Sequence, residues 1–192
     1  MGLIYFEDGE LIAQYGKARV YLFNGELYLE AGQGHSLWTY SLERKDYEEQ
    51  IANKAKGKCL EIGLGLGIAS AYILSLPNVD TLTTVEKNND IINVYKLLQE
   101  RDYASKDSRH NILWEDGLEF MRSIHIRHSS AFDFIFLDYY TDLDHESLVE
   151  LYLFVSVGRR ILNPGGKIVG WLDNTTPESI KKDFINIFEG VS

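Results

Sequence analysis

The first clear hydrophobic pattern lies in residues 18–31, where two runs rich in Val, Leu, Tyr and Phe flank the pair Asn24-Gly25. An Asn-Gly pair with positive φ at both residues is the preferred two-residue connection of a β-hairpin. The pattern therefore predicts a β-hairpin near the amino terminus. Apolar positions then recur at helical spacing over residues 42–56, which predicts a helix that ends at Gly57.

From residue 58 onward, short apolar runs alternate with helical patterns about five times. Strands are predicted at residues 58–62, 81–86, 111–114, 132–137 and 167–172, and helices at residues 68–76, 89–100, 118–122, 144–162 and 177–189. Near-continuous apolar strands separated by helices imply a parallel sheet that is covered on both faces. We therefore predict an α/β fold with a doubly wound, mostly parallel, Rossmann-like sheet. Residues 1–40 form an N-terminal β-hairpin segment in this prediction, and residues 41–192 form the Rossmann-like domain.

Composition places this pattern in an ordinary globular protein of 192 residues, 45% hydrophobic and 25% charged. No stretch approaches the roughly 20 apolar residues of a membrane span. Glu7, Asp8 and Glu10 stand where a signal peptide would need an apolar run, so we expect a cytoplasmic protein without membrane contact. The single cysteine, Cys59, lies in an apolar run, and we expect it to pack in the core.

The formal net charge of −10 argues against nucleic acid as a partner, because non-specific phosphate binding draws on clustered Lys and Arg. A small neutral or cationic molecule, or a protein, is a more favourable partner for an acidic chain. One basic cluster stands out, and we interpret it as a solvated connection: Arg122, His125, Arg127 and His128.

The stretch with the most chemical information is residues 58–70, which reads K-C-L-E-I-G-L-G-L-G-I-A-S. Its alternating glycines, Gly63, Gly65 and Gly67, allow a sharp turn and let a ligand approach the main chain. The helix predicted after them begins with unpaired N–H groups and the positive end of its dipole. The stretch therefore predicts a strand, a tight loop and a helix that bind a nucleotide-like ligand with an anionic end.

Polar residues also follow the other predicted strands: Glu86, Asp116, Asp138 and the pair Asp173-Asn174. Ligands of doubly wound sheets bind beyond the carboxyl ends of the strands, near the point where strand order reverses. A carboxylate after the second strand is placed to accept both hydroxyls of a ribose, and Asp116 is placed to hold an exocyclic amine of a base. One such acid is equally explained as a turn former or helix cap, so the set carries the argument.

This set resembles the class I S-adenosylmethionine-dependent methyltransferases. The run L-E-I-G-L-G-L-G looks like the first motif of that family, and Glu86, residues 115–117, the strand ending at Asp138 and L-N-P-G-G-K at residues 162–167 follow in the family's order and spacing. The resemblance implies that S-adenosylmethionine is the co-substrate. It covers roughly residues 42–190.

The resemblance also implies roles for individual residues. Gly63, Gly65 and Gly67 would accommodate the methionine moiety, and Glu61 would support its amino group directly or through water. Glu86 would bind the ribose hydroxyls. The adenine would be bound by three consecutive residues: Asp116 at its amine, with Gly117 and Leu118 passing the ring.

A closer likeness is to spermidine synthase and its aminopropyltransferase relatives, which share this fold. It rests on D-G-L-E-F-M at residues 116–121, F-D-F-I-F-L-D at residues 132–138 and the N-terminal hairpin. Two departures from that branch favour methyl transfer. Leu66 stands where the loop G-G-G-D-G-G has the Asp that engages decarboxylated S-adenosylmethionine, and the catalytic D-S-S-D or D-S-T-D becomes Asp138-Tyr139-Tyr140-Thr141, without its second acid.

In the methyl-transfer hypothesis Asp138 orients the acceptor and takes its proton, while Tyr139 and Tyr140 wall the acceptor pocket. The alternative is that Asp138 caps the next turn and the tyrosines simply pack. The acceptor is expected to be small or to bear an amine. Other hypotheses are aminopropyl transfer and a non-catalytic protein that binds a nucleoside or a partner protein.

Two further expectations concern cofactors and assembly. A dinucleotide dehydrogenase would need G-x-G-x-x-G, and neither frame of the glycines supplies it. His110 and His145 have no metal-ligand spacing with Cys or a second His, so we predict no metal site. Class I methyltransferases usually continue with two more strands after the fifth helix, so we expect a sheet without them. Its edge would then be exposed or covered by a partner chain, as in a homodimer.

Overall fold

A computed structural model describes residues 9–31, 37–127, 131–140, 143–172 and 176–189 of the protein. For residues 37–44 it describes the backbone alone. Its strands are β1 (Glu10–Tyr15), β2 (Ala18–Phe23), β3 (Glu26–Ala31), β4 (Leu37–Thr39), β5 (Gly57–Ile62), β6 (Val79–Glu86), β7 (His110–Trp114), β8 (Phe132–Leu137) and β9 (Leu162–Gly170). Its helices are α1 (Tyr40–Ile51), α2 (Ile68–Ser75), α3 (Asn89–Glu100), α4 (Gly117–Arg127), α5 (His145–Ile161) and α6 (Glu178–Glu189).

The N-terminal strands form an antiparallel sheet in the order β1-β2-β3-β4. The predicted hairpin is confirmed: β2 and β3 pair across Asn24 and Gly25, whose φ angles are 50° and 80°. The sequence did not predict β1 or β4. In β1 the register shifts between Leu11 and Ala13, so two neighbouring residues are buried and the alternation that marks a strand is lost. β4 has three residues, too few to show a period.

The other five strands form a parallel sheet in the order β7-β6-β5-β8-β9. This confirms the predicted doubly wound α/β class. The chain moves outward from β5 through β6 to β7 and then returns to the other side of β5 as β8. Strand order therefore reverses between β5 and β8, and the carboxyl ends of these two strands are where a ligand is expected.

Both faces of the parallel sheet are covered. Along β8, Phe134 and Phe136 pack into the cluster on the α2 and α3 face, whereas Ile135 and Leu137 pack into the cluster on the α4, α5 and α6 face. The first cluster also contains Ile12, Val20 and Leu29 of the N-terminal sheet, so that sheet shares a core with the Rossmann-like part. The predicted division of the chain at residue 40 stays a prediction.

Several predicted boundaries are wrong. α1 ends at Ile51, and Asn53 follows with a positive φ of 61°, so the helix does not reach Gly57, which instead begins β5. Residues 163–166, predicted to separate α5 from the last strand, are part of β9. Arg122, His125 and Arg127 of the basic cluster do not lie in a connection, because α4 continues to Arg127; His128 lies outside the described residues.

Two expectations from composition also concern the fold. Cys59 is 1% exposed and packs in the core as predicted, and burial raises the pKa of its thiol to about 12. None of the helices in the described part of the chain combines the length and hydropathy needed to cross a bilayer.

The core interpretation predicts the cost of truncating β8. Phe134→Ala should lower the free energy of unfolding by about 3–5 kcal/mol, because Phe134 is fully buried on β8, an interior strand of the parallel sheet. Ile126→Ala on α4 is the control, because that side chain is 84% exposed and its loss should change stability by about 0.5 kcal/mol or less. Urea denaturation of both variants measures the two values, and similar losses in both would contradict this assignment of the core.

Candidate functional site

A cavity of about 190 Å³ opens at the carboxyl ends of β5, β6 and β8, beside the reversal of strand order. Its lining comes from α1, the end of β5 with the glycine loop and α2, the end of β6 with the start of α3, the residues after β7 and β8, and α5: Tyr47, Ile62, Gly63, Leu64, Gly65, Leu66, Ile68, Ala69, Val85, Glu86, Lys87, Asn88, Ile91, Asp116, Gly117, Asp138, Tyr139, Tyr140, Glu150 and Phe154.

Most of the residues predicted from the sequence meet at this cavity. Those that line it are Gly63, Gly65, Glu86, Asp116, Gly117, Asp138, Tyr139 and Tyr140. Three predicted ligand-binding residues are not among the lining residues: Glu61, Gly67 and Leu118. Thr141 and the pair Asp173-Asn174 lie outside the described residues.

The glycine loop has positive φ at all three glycines: 96° at Gly63, 50° at Gly65 and 73° at Gly67. A Cβ at Gly63 would lie 2.0 Å from the carbonyl oxygen of Asp138, and a Cβ at Gly67 would lie 2.2 Å from the ring of Tyr95. A Cβ at Gly65 would meet nothing within 4 Å. Gly63 and Gly67 are therefore required by packing within the protein, and Gly65 leaves open space in the cavity wall.

Glu86 ends β6 and is held by two main-chain donors. The N–H of Leu64 donates to Oε2 at 3.0 Å, and the N–H of Asn88 donates to Oε1 at 2.7 Å. Burial raises the pKa of the carboxyl, and these hydrogen bonds oppose the rise. A carboxylate has about four lone-pair sites, so each oxygen keeps an acceptor site for a second partner. The group is thus fixed in place with two acceptors still available.

Glu61 is not at the cavity surface. Its Oε2 accepts hydrogen bonds from Ser70 Oγ and Thr84 Oγ1, each at 2.5 Å, on the sheet face covered by α2 and α3. Thr84 Oγ1 is also 2.8 Å from His110 Nε2. Burial raises the pKa of Glu61 to about 8, and burial lowers the pKa of His110 to about 4. The geometry gives Glu61 a place in an internal network, and its contact with an amino group, directly or through water, stays a prediction.

Asp116 and Gly117 line the cavity where β7 passes into α4. One Asp116 oxygen, Oδ1, accepts the main-chain N–H of Glu119 at 3.0 Å, so the side chain also caps the helix. A Cβ at Gly117 would lie 2.6 Å from the Ile62 side chain, which explains the glycine by packing. Leu118 packs against the cluster under α4 and α5, and its passage along the adenine stays a prediction.

Asp138 follows β8 and is hydrogen-bonded by a residue that sequence reasoning missed. The hydroxyl of Tyr47, on α1, donates to Asp138 Oδ2 at 2.6 Å. Withdrawal from water raises the pKa of Asp138 to about 7, the Tyr47 hydrogen bond opposes this, and the charge of Glu86 adds to it. Tyr47 lies within residues 42–56, where apolar positions at helical spacing predict a helix. Nothing in its spacing linked it to an acid 91 residues away.

The two tyrosines after Asp138 differ in their hydrogen bonding. Tyr140 donates to the main-chain oxygen of Trp171 and is largely buried. The Tyr139 hydroxyl is buried and has no hydrogen-bond partner among the described residues, while its ring packs on Phe154 at 4.4 Å between centroids. Tyr140 therefore both walls the cavity and stabilises the fold, and Tyr139 presents a free donor.

The charges around the cavity are predominantly negative. Among the described residues, four carboxylates line it, from Glu86, Asp116, Asp138 and Glu150, against one lysine, Lys87. Among the residues that the structure describes, no group of three or more His, Cys, Asp or Glu side chains is arranged to hold a metal ion. The arrangement suits an uncharged or cationic ligand that offers hydroxyl and amine donors.

The Glu61 network predicts a pH dependence of stability. Because the pKa of Glu61 is raised to about 8 in the folded protein, the folded state holds a proton that the unfolded state has released. Stability should therefore fall as pH rises from about 4.5 to about 8, and the Asp138 carboxyl should contribute a fall of the same sign up to about 7. Glu61→Gln should reduce this slope, since its amide oxygen still accepts from Ser70 and Thr84 without titrating.

Thermal unfolding between pH 5 and pH 9 measures this effect. Glu100→Gln is the matched control, because Glu100 is an exposed carboxylate on α3 and its variant should keep the wild-type slope. A Glu61→Gln slope equal to that of the wild type would show that Glu61 does not retain the proton.

The chain was compared with protein-family models, curated sequences and solved structures. No protein-family model matches the chain, and no curated protein sequence matches it. The structure is similar to spermidine synthase from Thermotoga maritima, with 20% identity, a TM-score of 0.66, and coverage of 93% of this chain and 62% of that one. It is also similar to a spermidine synthase in complex with the transition-state analogue AdoDATO, with 16% identity, a TM-score of 0.69, and coverage of 95% and 63%.

A third similar structure is a SAM-dependent methyltransferase from Agrobacterium tumefaciens, with 15% identity and a TM-score of 0.54, covering 90% of this chain and 58% of that one. The chain thus spans less than two thirds of the length of these three proteins. The chain has the fold of the class I S-adenosylmethionine-dependent methyltransferases, in its spermidine synthase-like form.

Proposed function

We propose that the chain binds S-adenosylmethionine in this cavity and transfers its methyl group to a small or amine-bearing acceptor. The observation that carries the proposal is convergence: the glycine loop, Glu86, Asp116 and Asp138 follow four different strands and line the same cavity. In this proposal Glu86 accepts the ribose hydroxyls through its two remaining acceptor sites, and Asp116 accepts the adenine amine. The open space at Gly65 accommodates the methionine moiety.

The charge of the cavity supports a sulfonium ligand. Four carboxylates against one lysine favour a ligand with a positively charged sulfur and disfavour one with a pyrophosphate. This is an independent argument against the dinucleotide hypothesis, beyond the missing G-x-G-x-x-G spacing. The same field favours an acceptor that is neutral or cationic.

Methyl transfer is proposed over aminopropyl transfer because of Leu66. This side chain is 8% exposed and lines the cavity, at the position where the aminopropyltransferase loop has an acid. An apolar wall there offers no charge partner to the amino end of decarboxylated S-adenosylmethionine. Charged hydrogen bonds of that kind are worth about 1.5–3 kcal/mol each, so their absence weakens binding of the decarboxylated form.

The proposed chemistry needs few groups. The acceptor lone pair forms a bond to the methyl carbon as the carbon–sulfur bond breaks, and the pair of electrons in that bond remains on sulfur, which leaves neutral S-adenosylhomocysteine. The protein holds the three atoms in line. The proton lost by the acceptor passes to Asp138, whose pKa near 7 is suited to a general base at neutral pH. Tyr47 fixes the orientation of that carboxylate.

The ligand preference is the first test of the proposal. In isothermal titration calorimetry, S-adenosylmethionine and S-adenosylhomocysteine should both bind, and decarboxylated S-adenosylmethionine should bind no more tightly than either, because Leu66 gives its amino end no charged partner. A preference for the decarboxylated form would favour aminopropyl transfer. Absence of binding by all three ligands would favour a non-catalytic role.

The general base is tested by Asp138→Asn. The assay uses methyl-labelled S-adenosylmethionine and a panel of small amines and alcohols. This variant should form S-adenosylhomocysteine at least about 10²-fold more slowly than the wild type. Its affinity for S-adenosylmethionine should be unchanged within about threefold, since the base acts on the acceptor. The wild-type rate should rise with pH through about 7, because the ionised carboxylate is the active form.

Tyr47→Phe is the matched variant. It keeps the carboxylate but removes a hydrogen bond that lowers the pKa of Asp138, so the rising limb of the pH–rate profile should move to higher pH. An Asp138→Asn variant with the wild-type rate would exclude Asp138 as the base.

A further inference from the structure

The turn between β1 and β2 contacts the helix that begins beside the cavity. The main-chain N–H of Lys17 donates to Asp90 Oδ2, in the first turn of α3, at 2.9 Å. Gly16, the preceding residue, lies so close that a Cβ there would be 2.3 Å from the same oxygen. At the other end of α3, the Arg101 guanidinium donates to the main-chain oxygen of Ile12 in β1. The N-terminal sheet is therefore fastened to both ends of α3.

From Asp90 a continuous chain of hydrogen bonds leads to the cavity. The N–H of Asp90 donates to the Asn88 side-chain oxygen at 2.9 Å, which caps α3. The N–H of Asn88 donates to Glu86 Oε1 at 2.7 Å, and the N–H of Leu64 in the glycine loop donates to Glu86 Oε2 at 3.0 Å. Main-chain N–H groups thus orient both oxygens of the Glu86 carboxylate. One of these donors, Asn88, lies on the segment that the β1–β2 turn contacts.

We infer that the Gly16-Lys17 turn is a positioning element for the Glu86 carboxylate. The turn holds Asp90 and the start of α3 in place, and this fixes the position of the Asn88 N–H. That N–H in turn orients Glu86 at the cavity, with one free acceptor site on each carboxylate oxygen. The orientation of Glu86 is intrinsic to the ligand-free protein. The consequence for nucleoside affinity rests on the proposed function, in which Glu86 accepts the ribose hydroxyls.

Gly16 has a specific reason to be glycine. Its φ is 53°, and the space where a side chain would begin is occupied by the Asp90 carboxylate. Gly25 offers a matched comparison in the next turn of the same sheet. It also has a positive φ, 80°, but a Cβ there would meet nothing within 4 Å. Substitution by alanine strains both turns, and only at Gly16 does it also displace the Asp90 carboxylate that accepts the Lys17 N–H.

The experiment compares Gly16→Ala with Gly25→Ala by two measurements. Hydrogen–deuterium exchange of the ligand-free proteins reports the Leu64 and Asn88 amides that bind Glu86. Gly16→Ala should raise exchange at both amides by about tenfold, as expected for the loss of one hydrogen bond, and Gly25→Ala should change it by about twofold or less. Asp90→Ala, which removes the Lys17 contact without straining the turn, should act like Gly16→Ala.

Calorimetry with S-adenosylhomocysteine supplies the second measurement. Gly16→Ala should weaken binding by about five- to tenfold, and Gly25→Ala by about twofold or less, at comparable losses of thermal midpoint. In a Glu86→Gln background, Gly16→Ala should weaken binding by less than about twofold further, because the two changes act through one group. A purely structural role of Gly16 would instead give additive losses.

The outcomes separate the two proposals. If the wild type does not bind S-adenosylhomocysteine, the proposed function is wrong, and the exchange of the Leu64 and Asn88 amides still decides the positioning role. If Gly16→Ala and Gly25→Ala change that exchange equally, the positioning role is wrong, whatever the affinity. If Gly16→Ala misfolds, the same exchange measurement on Asp90→Ala gives the decision.

Discussion

The site depends on the contact between the ends of β5 and β8 at Gly63. The main-chain N–H of Gly63 donates to the carbonyl oxygen of Val85, and that of Asp138 donates to the carbonyl oxygen of Ile62. These two hydrogen bonds join the ends of β5, β6 and β8. A Cβ at Gly63 would lie 2.0 Å from the Asp138 carbonyl oxygen. Only a residue without a side chain, at φ 96°, allows the glycine loop to turn here. The cavity lies beside this contact, lined by the loop after β5 and the segment after β8, where strand order reverses.

Three carboxylates are gathered around that contact, and they affect one another. Burial raises the pKa of Glu61, Glu86 and Asp138, and the charges of Glu86 and Asp138 act in the same direction on Glu61. Hydrogen bonds offset the cost of burying each carboxyl group. The donors are hydroxyls at Glu61, main-chain N–H groups at Glu86 and the Tyr47 phenol at Asp138. Of these three groups, Glu86 and Asp138 line the open cavity, and their negative charge, when they are ionised, favours a cationic ligand there.

The sequence predicted elements whose information is local. The hairpin at Asn24-Gly25 follows from turn chemistry, and the strand-end positions of Glu86, Asp116 and Asp138 follow from the alternation of strands and helices. The sequence did not predict β1, because a bulge destroys its alternation. The C-terminal end of α1 was also missed, since the positive φ of Asn53 ends the helix before the glycine that was taken as its stop.

By itself, then, the sequence determined the doubly wound α/β class and the edge of the sheet at which the polar residues collect, because periodicity and turn residues act over a few positions. Only the tertiary structure decided which of those residues face the cavity. Glu61 and Glu86 both belong to strands that lead to the site, yet the pleat and the neighbouring hydroxyls direct Glu61 into an internal network. Tyr47 contacts Asp138, which is 91 positions away in the sequence, and Lys17 contacts Asp90, which is 73 positions away. No local sequence pattern carries information over such separations.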